Sequence, residues 1–189
     1  MSDTTDGLSS AAQVSASVPW PMPAAQEGRA GESMKTRLMR WGFNLWPCLR
    51  GSGGRITYIA RDMREIHVKV GLSWRTRNYV GTIYGGSMFG ITDPMYMVML
   101  IKLLGPKYFV VDKAGSIRYL KPGRDSLFAR FLVSEAETEA IRQELEQREQ
   151  LDREYTVDLV DAQGTVHAVV KRTLHFRKRR NKTAGSSPA

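Results

Sequence analysis

The sequence predicts an α+β fold in which an antiparallel sheet packs around one buried helix. The first observation is an apolar segment, residues 85–104, whose only charged side chains are Asp93 and Lys102. A helix that is apolar on all sides belongs in a protein interior. The second observation is the order of the strand patterns, since two precede this helix and four follow it with one inserted helix. A layer of strands can cover such a helix, and we therefore expect this architecture.

The charges within the apolar helix argue against a membrane span, because a spanning segment of this length normally carries few or no charges. We therefore expect no transmembrane segment. The chain has 189 residues and is 42% hydrophobic, which suits one globular domain. Cys48 is the single cysteine, which excludes an intramolecular disulfide, and the polar N-terminus shows no secretory signal. These features favour a cytoplasmic protein.

The first predicted helix follows a polar tail and opens the domain, residues 34–178. Residues 1–33 are rich in Ser, Ala, Pro and Gly and are expected to be disordered. From there to Pro47, large apolar side chains recur at helical spacing, with Arg and Lys on the other side. A basic amphipathic helix can lie on a membrane, but we expect this narrow stripe to pack against the domain or a neighbouring subunit. The stripe consists of Met34, Leu38, Trp41, Leu45 and Trp46.

Two strands precede the buried helix. Residues 51–54 are predicted to be a flexible glycine linker that leads into a strand around Ile56. In the second strand, apolar residues from Ile66 to Val70 alternate with polar ones, which predicts one buried and one exposed face. His67 has the parity of the exposed face, and we expect it to face solvent.

Four strands and one helix follow the buried helix. Gly115 interrupts the first of these strands and is expected to mark a bulge. Ser134 and Glu137 form a capping-box pattern that opens a mostly polar surface helix, predicted to end near Arg153. The last two strands turn at a four-residue hairpin connection, residues 161–164. The predicted strands are residues 108–120, 126–134, 155–160 and 165–176.

The glycine-rich entry to the buried helix supplies a candidate site. The first amides of a helix have no intrahelical partner and lie at the positive end of the helix dipole. Gly85 and Gly86 let an anion or a polarised carbonyl approach these amides. Asp93 follows Gly86 by seven residues, about two helical turns, and so lies roughly on the same face. An oxyanion-binding turn with a carboxylate suits acyl transfer or ester hydrolysis.

Asp93 also has a purely structural interpretation. Asp followed by Pro is a good N-cap and N1 pair, so Asp93 and Pro94 could restart a helix broken near Thr92. Pro94 has no amide hydrogen to donate to Gly90, and we expect it to kink the helix in either case.

The glycine turn resembles that of hotdog-fold thioesterases, including the phenylacetate-pathway type. These proteins carry the pattern Asn-x-x-Gly-Thr-x-His-Gly-Gly, followed by six residues and a catalytic acid. Tyr84 stands here in place of the histidine, and the Asp-Pro step resembles an uncharacterised, often tetrameric thioesterase-like branch. The likeness covers about residues 55–177. The matching residues are Asn78, Gly81, Thr82, Gly85, Gly86 and Asp93.

The resemblance implies the hotdog fold and hydrolysis of an acyl-CoA or acyl-carrier-protein thioester, with coenzyme A as part of the substrate and no other cofactor. Asp93 would activate water or attack the carbonyl, Asn78 would orient the reactants, and Gly86 would donate to the carbonyl oxygen. The family also implies a homodimer or homotetramer with its site at an interface, so Asp93 and Gly86 at one substrate can come from different subunits. The expected substrate-binding residues are Gly85, Thr82, Tyr84, Lys121 and Arg124.

The positive charge of the chain is concentrated at its C-terminus. The net charge is +9, and residues 171–189 hold seven basic residues and no acidic one, which leaves +2 for the rest. Such a cluster can bind nucleic acid, but no nucleic-acid module precedes it, and we expect residues 179–189 to be a solvated basic tail. Lys121, Arg124 or the basic residues of the last strand are alternatives for binding the phosphates of coenzyme A.

Other functions stay open at this stage. Because position 84 is not histidine, the protein can be a hotdog module that binds an acyl thioester without cleaving it. A dehydratase or hydratase needs a histidine paired with an acid near the helix, and we expect the three histidines to lie apart from any carboxylate. A structural interaction protein would use the N-terminal helix and the basic tail. The sequence shows no metal-ligand spacing, so we expect no metal.

Overall fold

A computed structural model describes residues 31–179 and shows the predicted α+β architecture. The predicted tails are residues 1–33 and 179–189, and all but residues 31–33 and 179 of them lie outside the described residues. Of the described ends, Ser33 caps the first helix, Glu32 pairs with Arg40, and the Arg179 amide donates to the Lys107 carbonyl. The helices are α1 (Met34–Leu45), α2 (Pro47–Ser52), α3 (Gly85–Thr92), α4 (Met95–Leu104) and α5 (Glu135–Gln147). The strands are β1 (Gly54–Ile59), β2 (Glu65–Val70), β3 (Tyr108–Tyr119), β4 (Leu127–Leu132), β5 (Gln150–Val160) and β6 (Val166–Lys178).

The strands form one antiparallel sheet in the order β1-β2-β4-β5-β6-β3. β6 pairs with β5 and β3 over nearly the whole length of each strand. β3 has a partner on one side only and therefore forms an edge of the sheet. Most of its residues after Val110 are exposed or half-buried, so a long row of backbone groups is left available for pairing.

α3 and α4 lie against the sheet and supply much of the core. The segment Gly85–Leu104 is long and apolar enough to cross a membrane, but half of its apolar window is buried inside the protein. It is thus the core helix that the sequence predicts. The most completely buried side chains come from this segment, from the strands and from α5, and they include Ile66, Val68, Ile91, Met99, Leu100, Phe131, Ile141, Leu145 and Phe176.

The core helix is broken at the predicted proline. α3 ends at Thr92 and α4 begins at Met95, while Asp93 and Pro94 keep right-handed backbone angles between them. The Asp93 amide still donates to the Gly90 carbonyl over 3.3 Å. Because Pro94 lacks an amide hydrogen, the ladder of helical hydrogen bonds is interrupted there and the helix kinks.

α5 is shorter than predicted. Ser134 caps it as expected, since the Glu137 amide donates to the Ser134 hydroxyl over 3.0 Å. The helix ends at Gln147 and not near Arg153, because residues 150–153 pair with β6. The hydrogen bonds and burial of a central strand override the helix-favouring composition of this segment.

The predicted glycine linker, residues 51–54, is ordered and not flexible. Its first half completes α2, and Gly53 ends that helix with a φ of +77°. Gly54 begins β1 and passes so close to Ile91 that a β-carbon would overlap that side chain. Gly53 therefore allows the left-handed C-cap of α2, and Gly54 allows the backbone to approach the core helix closely.

The bulge predicted at Gly115 lies elsewhere. The register between β3 and β6 shifts between Asp112 and Ala114, whereas Gly115 pairs regularly with Arg172. A β-carbon at Gly115 would lie 2.9 Å from the Phe89 ring and from the Arg172 guanidinium. Gly115 thus leaves room beside the strand for the Arg172 side chain.

The predicted exposure of His67 is wrong. His67 is buried, its Nε2 atom lies 2.7 Å from Glu65 Oε1, and Arg130 Nε donates to the same oxygen over 2.6 Å. Burial alone would raise the pKa of Glu65, but the hydrogen bonds from His67 and Arg130 outweigh it and lower that pKa to about 2. Hydrogen-bonded partners of this kind make a buried carboxylate tolerable.

The other two histidines also have carboxylate partners, contrary to the prediction. His167 Nε2 lies 3.2 Å from Asp161 Oδ2, and His175 Nδ1 lies 2.7 Å from Asp152 Oδ1. Strand pairing and a hairpin turn create these contacts, which residue spacing along the chain does not reveal. Neither pair lies on α3 or α4, and within residues 31–179 no three His, Cys, Asp or Glu side chains form a metal-binding cluster.

α1 packs on β1 through the side opposite to its apolar stripe. The Asn44 side chain exchanges hydrogen bonds with both backbone groups of Ile56, over 2.9 and 2.8 Å. The expectation that the stripe packs against the domain is wrong, because Asn44 and the apolar side chains of Met39 and Phe43 face the domain instead. Packing of the stripe against a neighbouring subunit, the other alternative, stays a prediction. The exposed stripe residues are Met34, Leu38, Trp41, Leu45 and Trp46.

Candidate active site

Asn78 shapes the loop that leads into α3. Its side-chain oxygen accepts hydrogen bonds from the Val80 amide over 3.1 Å and the Thr82 amide over 2.9 Å. Its side-chain nitrogen donates to the Thr82 hydroxyl over 2.8 Å. The two predicted site residues Asn78 and Thr82 therefore hold each other and fix the path of the backbone toward the glycines, as a self-bonded asparagine does in a turn.

The amides of Gly85 and Gly86 open α3 without partners. Tyr84 is the N-cap and provides no side-chain cap, while its carbonyl accepts from the amides of Ser87 and Met88 over 3.0 and 3.2 Å. Within residues 31–179 no atom accepts a hydrogen bond from the Gly85 or Gly86 amide. Two unpaired donors thus lie at the positive end of the helix, as the sequence predicts.

Two tyrosine rings bracket the paired glycines. A β-carbon at Gly85 would overlap the Tyr119 hydroxyl, and one at Gly86 would overlap the Tyr84 ring. Burial, and then the neighbouring Tyr84, raise the pKa of Tyr119. Tyr119 therefore keeps its proton at neutral pH and places a third hydrogen-bond donor beside Gly85. Tyr119 was not among the predicted site residues. The one sequence signal for it was its position two residues before Lys121, which was predicted to bind substrate.

A cavity of about 430 Å³ adjoins the glycine turn. It brings together predicted site residues from two separate parts of the chain, the loop before α3 and the connection between β3 and β4. Its apolar wall is formed mainly by Val80, Ile83, Met88 and Leu120. The predicted site residues that line it are Asn78, Thr82, Gly85, Lys121 and Arg124, whereas Tyr84, Gly86 and Asp93 do not.

Asp93 lies at the break between α3 and α4 and forms an ion pair with Arg172. Asp93 Oδ1 is 2.5 Å from Arg172 Nη1, and the carboxylate side chain is 56% exposed while the arginine side chain is 3% exposed. α4 has no side-chain N-cap. The structural alternative, in which Asp93 caps the second helix, is therefore wrong.

Arg172 is anchored on the core helix by further contacts. Its Nη2 atom donates to the Phe89 carbonyl over 2.8 Å and to the Thr92 hydroxyl over 3.2 Å. The guanidinium lies 3.9 Å from the centre of the Phe89 ring, a cation–π distance. Arg172 thus links β6 to the C-terminal end of α3 and holds the Asp93 side chain at the protein surface.

Asp112 is a second carboxylate in this cluster and was missed by the sequence analysis. Burial and the nearby Asp93 raise the pKa of Asp112 to about 6, while the Arg172 charge opposes the rise. Its Oδ1 atom is buried without a hydrogen-bond partner in the described part of the chain. The only sequence signal for a functional role of Asp112 was an acidic residue that follows an apolar run in β3. Edge strands commonly carry charged residues, so this signal does not distinguish a site residue from an ordinary one.

We predict that Asp112→Asn stabilises the protein at neutral pH. The raised pKa means that protonated Asp112 stabilises the folded state at low pH and that this stability is lost as the pH rises through about 6. Because the side chain is partly solvated, we expect a gain of about 1 kcal/mol, or about 3 °C in melting temperature, at pH 8. Melting curves of both proteins should converge near pH 4, and a variant that melts below the parent at pH 8 would refute the assignment.

The sequence matches the protein family described as Domain of unknown function (DUF4442) over residues 35–176. The chain belongs to this family. The match includes every helix and strand that shapes the cavity and the Asp93–Arg172 pair. A comparison of this DUF4442 chain with curated proteins finds no match.

Solved structures similar to this DUF4442 chain have the hotdog fold of thioesterases. PA5026 from Pseudomonas aeruginosa, described as a probable thioesterase, has 16% identity and a TM-score of 0.68, covering 80% of this chain and 100% of its own. The thioesterase HI1161 from Haemophilus influenzae has 13% identity and a TM-score of 0.57, covering 78% and 93%. The E. coli PaaI protein of the phenylacetic acid degradation operon has 18% identity and a TM-score of 0.53, covering 74% and 91%. The predicted hotdog fold is therefore confirmed.

Proposed function

We propose that this protein hydrolyses acyl thioesters of coenzyme A or of an acyl carrier protein. The observation that carries the proposal is the cavity beside the unpaired amides of Gly85 and Gly86. Amides at a helix N-terminus can stabilise the oxyanion of a tetrahedral intermediate, and losing one such donor costs roughly 3 to 4 kcal/mol in catalysis. The Tyr119 hydroxyl would add a further donor.

In this mechanism the carbonyl oxygen of the thioester accepts hydrogen bonds from the two glycine amides. Asp93 removes a proton from water as the water oxygen attacks the carbonyl carbon, or it attacks that carbon itself. The carbon–sulfur bond then breaks, and the thiolate leaves and takes up a proton to give the free thiol. Where Asp93 itself attacks, its carboxylate is left in a mixed anhydride with the acyl group, and water then hydrolyses this anhydride to release the acid and restore the carboxylate. Asn78 holds the loop beside the carbonyl, and Tyr84, whose ring lies against Gly86, would stand at the glycine turn in place of histidine.

The proposal requires two subunits. Gly86 and Asp93 are separated by two helical turns, about 10 Å along the axis, and Asp93 does not line the cavity. The carboxylate is exposed, and its neighbour Asp112 belongs to β3, one of the two edge strands of the sheet. A partner chain that pairs with this edge would bring its own glycine turn to Asp93, which supports a homodimer or a dimer of dimers.

A second candidate function is acyl-thioester binding without hydrolysis. Two observations favour it: Arg172 holds the Asp93 carboxylate, and Tyr84 replaces the histidine of the related motif. A hydrolase releases free thiol from a panel of acyl-CoAs of increasing chain length. Tight binding of an acyl-CoA with no thiol release from any member of the panel would select the binding function and reject hydrolysis.

We predict that Lys121→Ala combined with Arg124→Ala raises KM for acyl-CoA about tenfold and leaves kcat unchanged. The double variant would lose two cations from the side of the cavity that we expect to bind the phosphates of coenzyme A. Both side chains are exposed at the cavity. Arg61→Ala combined with Lys107→Ala is the matched control, since both side chains are exposed but lie outside the cavity. An equal rise of KM in the control variant would show that only general charge attraction is measured.

A further inference from the structure

The outward side of α1 carries large apolar side chains where a helix on a globular domain normally carries polar ones. Leu38 is 70% exposed and Trp41 is 64% exposed, and Met34, Leu45 and Trp46 are exposed beside them. At roughly 100° per residue, four of these residues lie within one narrow sector of the helix, namely Met34, Leu38, Trp41 and Leu45. We call this set of five residues the α1 stripe.

Polar side chains, together with Met39 and Phe43 that pack on the core, hold the other sides of α1 to the domain. Arg40 is paired with Glu32, whose carboxylate also accepts from the Ile59 amide over 3.1 Å. Asn44 is bonded to the β1 backbone at Ile56, and Thr36 is buried in the capping box. These fixed contacts prevent the helix from turning its stripe inward, so the stripe is exposed in the fold of residues 31–179.

The segment that carries the α1 stripe has charges of one sign after Glu32, which is paired with Arg40. Residues 33–55 contain five basic residues and no acidic one. By helical geometry Lys35 and Arg37 lie on either side of the stripe, and Arg50 and Arg55 are also exposed. Within residues 31–179 only Arg40 of these five has an acidic partner.

We propose that the α1 stripe binds the surface of an anionic lipid bilayer. Tryptophan is favoured at the boundary between headgroups and acyl chains, and flanking Lys and Arg attract anionic headgroups. A helix with these two features lies in the plane of the membrane with its apolar side inserted. A second copy of the chain fits the stripe less well, because a symmetric contact would bring the flanking Lys35 and Arg37 of one copy close to the same basic pair of the other.

The test is co-sedimentation of the full chain with vesicles of phosphatidylcholine alone and with added phosphatidylglycerol. We expect binding to the anionic vesicles, and a loss of about tenfold or more in the Leu38→Ser/Trp41→Ser variant. That variant keeps every basic residue, so it separates insertion of the stripe from attraction by the basic C-terminus. Leu132→Ser is the matched control, because Leu132 is an exposed leucine on β4, and its binding should equal that of the parent.

Three results would overturn the proposal. One is absence of binding by the full chain, and another is equal binding by the Leu38→Ser/Trp41→Ser variant. The third comes from sedimentation velocity without lipid: a smaller oligomer in that variant than in the parent would identify the stripe as a contact between copies of the chain. Circular dichroism of each variant confirms that α1 and the sheet have formed.

Discussion

Replacement of Asp93 by Asn should lower kcat for acyl-CoA hydrolysis by about 10² to 10⁴-fold, the usual contribution of a positioned base. Asparagine can neither accept a proton from water at neutral pH nor attack as a carboxylate. It keeps an oxygen that accepts from Arg172, whose Nη1 atom lies 2.5 Å from Asp93 Oδ1. Thiol release under saturating substrate measures the effect, and an unchanged rate would remove Asp93 from the mechanism.

The same variant tests whether the site is shared between subunits. Gly86→Val should also be inactive, since the new side chain overlaps the Tyr84 ring and blocks the amide. In a dimer with shared sites, a heterodimer of one Asp93→Asn chain and one Gly86→Val chain contains one complete site out of two. Because random pairing of co-expressed chains makes about half of the dimers heterodimers, we expect about a quarter of the parental activity. A mixture as inactive as its components would place both residues of a working site in one chain.

Replacement of Arg172 by Met should lower the free energy of unfolding by about 3 kcal/mol. The Thr92 hydroxyl would lose its donor, the Phe89 carbonyl would keep only the hydrogen bond from that hydroxyl, and Asp93 and Asp112 would lose the nearby cation. The size of the loss reflects the position of Arg172, which is buried against the core helix. Urea denaturation at pH 7.5 measures it.

Lys171→Met is the matched control for this variant. Lys171 precedes Arg172 on β6 and pairs with Glu154 at the surface, where both side chains are about half exposed. Such a pair is worth less than about 1 kcal/mol. The deficit of Arg172→Met should also grow from pH 5 to pH 8, because the Asp112 carboxylate, whose pKa is raised to about 6, ionises over that range and then lacks the Arg172 charge. Equal losses in the two variants, or a deficit independent of pH, would contradict the role given to Arg172.

The apolar core helix and its glycine entry were predictable because their signals are local. A segment without a polar side must be buried, and Pro94 interrupts any helix that contains it. The turn at residues 161–164 and the cap at Ser134 are likewise set by neighbouring residues. The end of α5 was not predictable, because partners in β6, more than twenty residues away, determine it.

The candidate site divides in the same way. Asn78, Thr82 and the glycine pair belong to one short motif, and the chain around them brings them together. Arg172 lies 79 residues after Asp93, and no periodicity or motif relates the two. Asp112 and Tyr119 reach the site from a strand whose register depends on its pairing with β6.

By itself the sequence determined the architecture, one apolar helix covered by strands, and the position of unpaired amides at the start of that helix. These features follow from hydrophobicity and backbone chemistry within single segments. The tertiary structure alone decided that Asp93 is held by Arg172, that the histidines are paired with carboxylates, and that the apolar side of α1 faces outward. Each of these three features depends on which distant segments pack together. The partner of a side chain is the residue that lies next to it in three dimensions, and its position in the chain does not determine that residue.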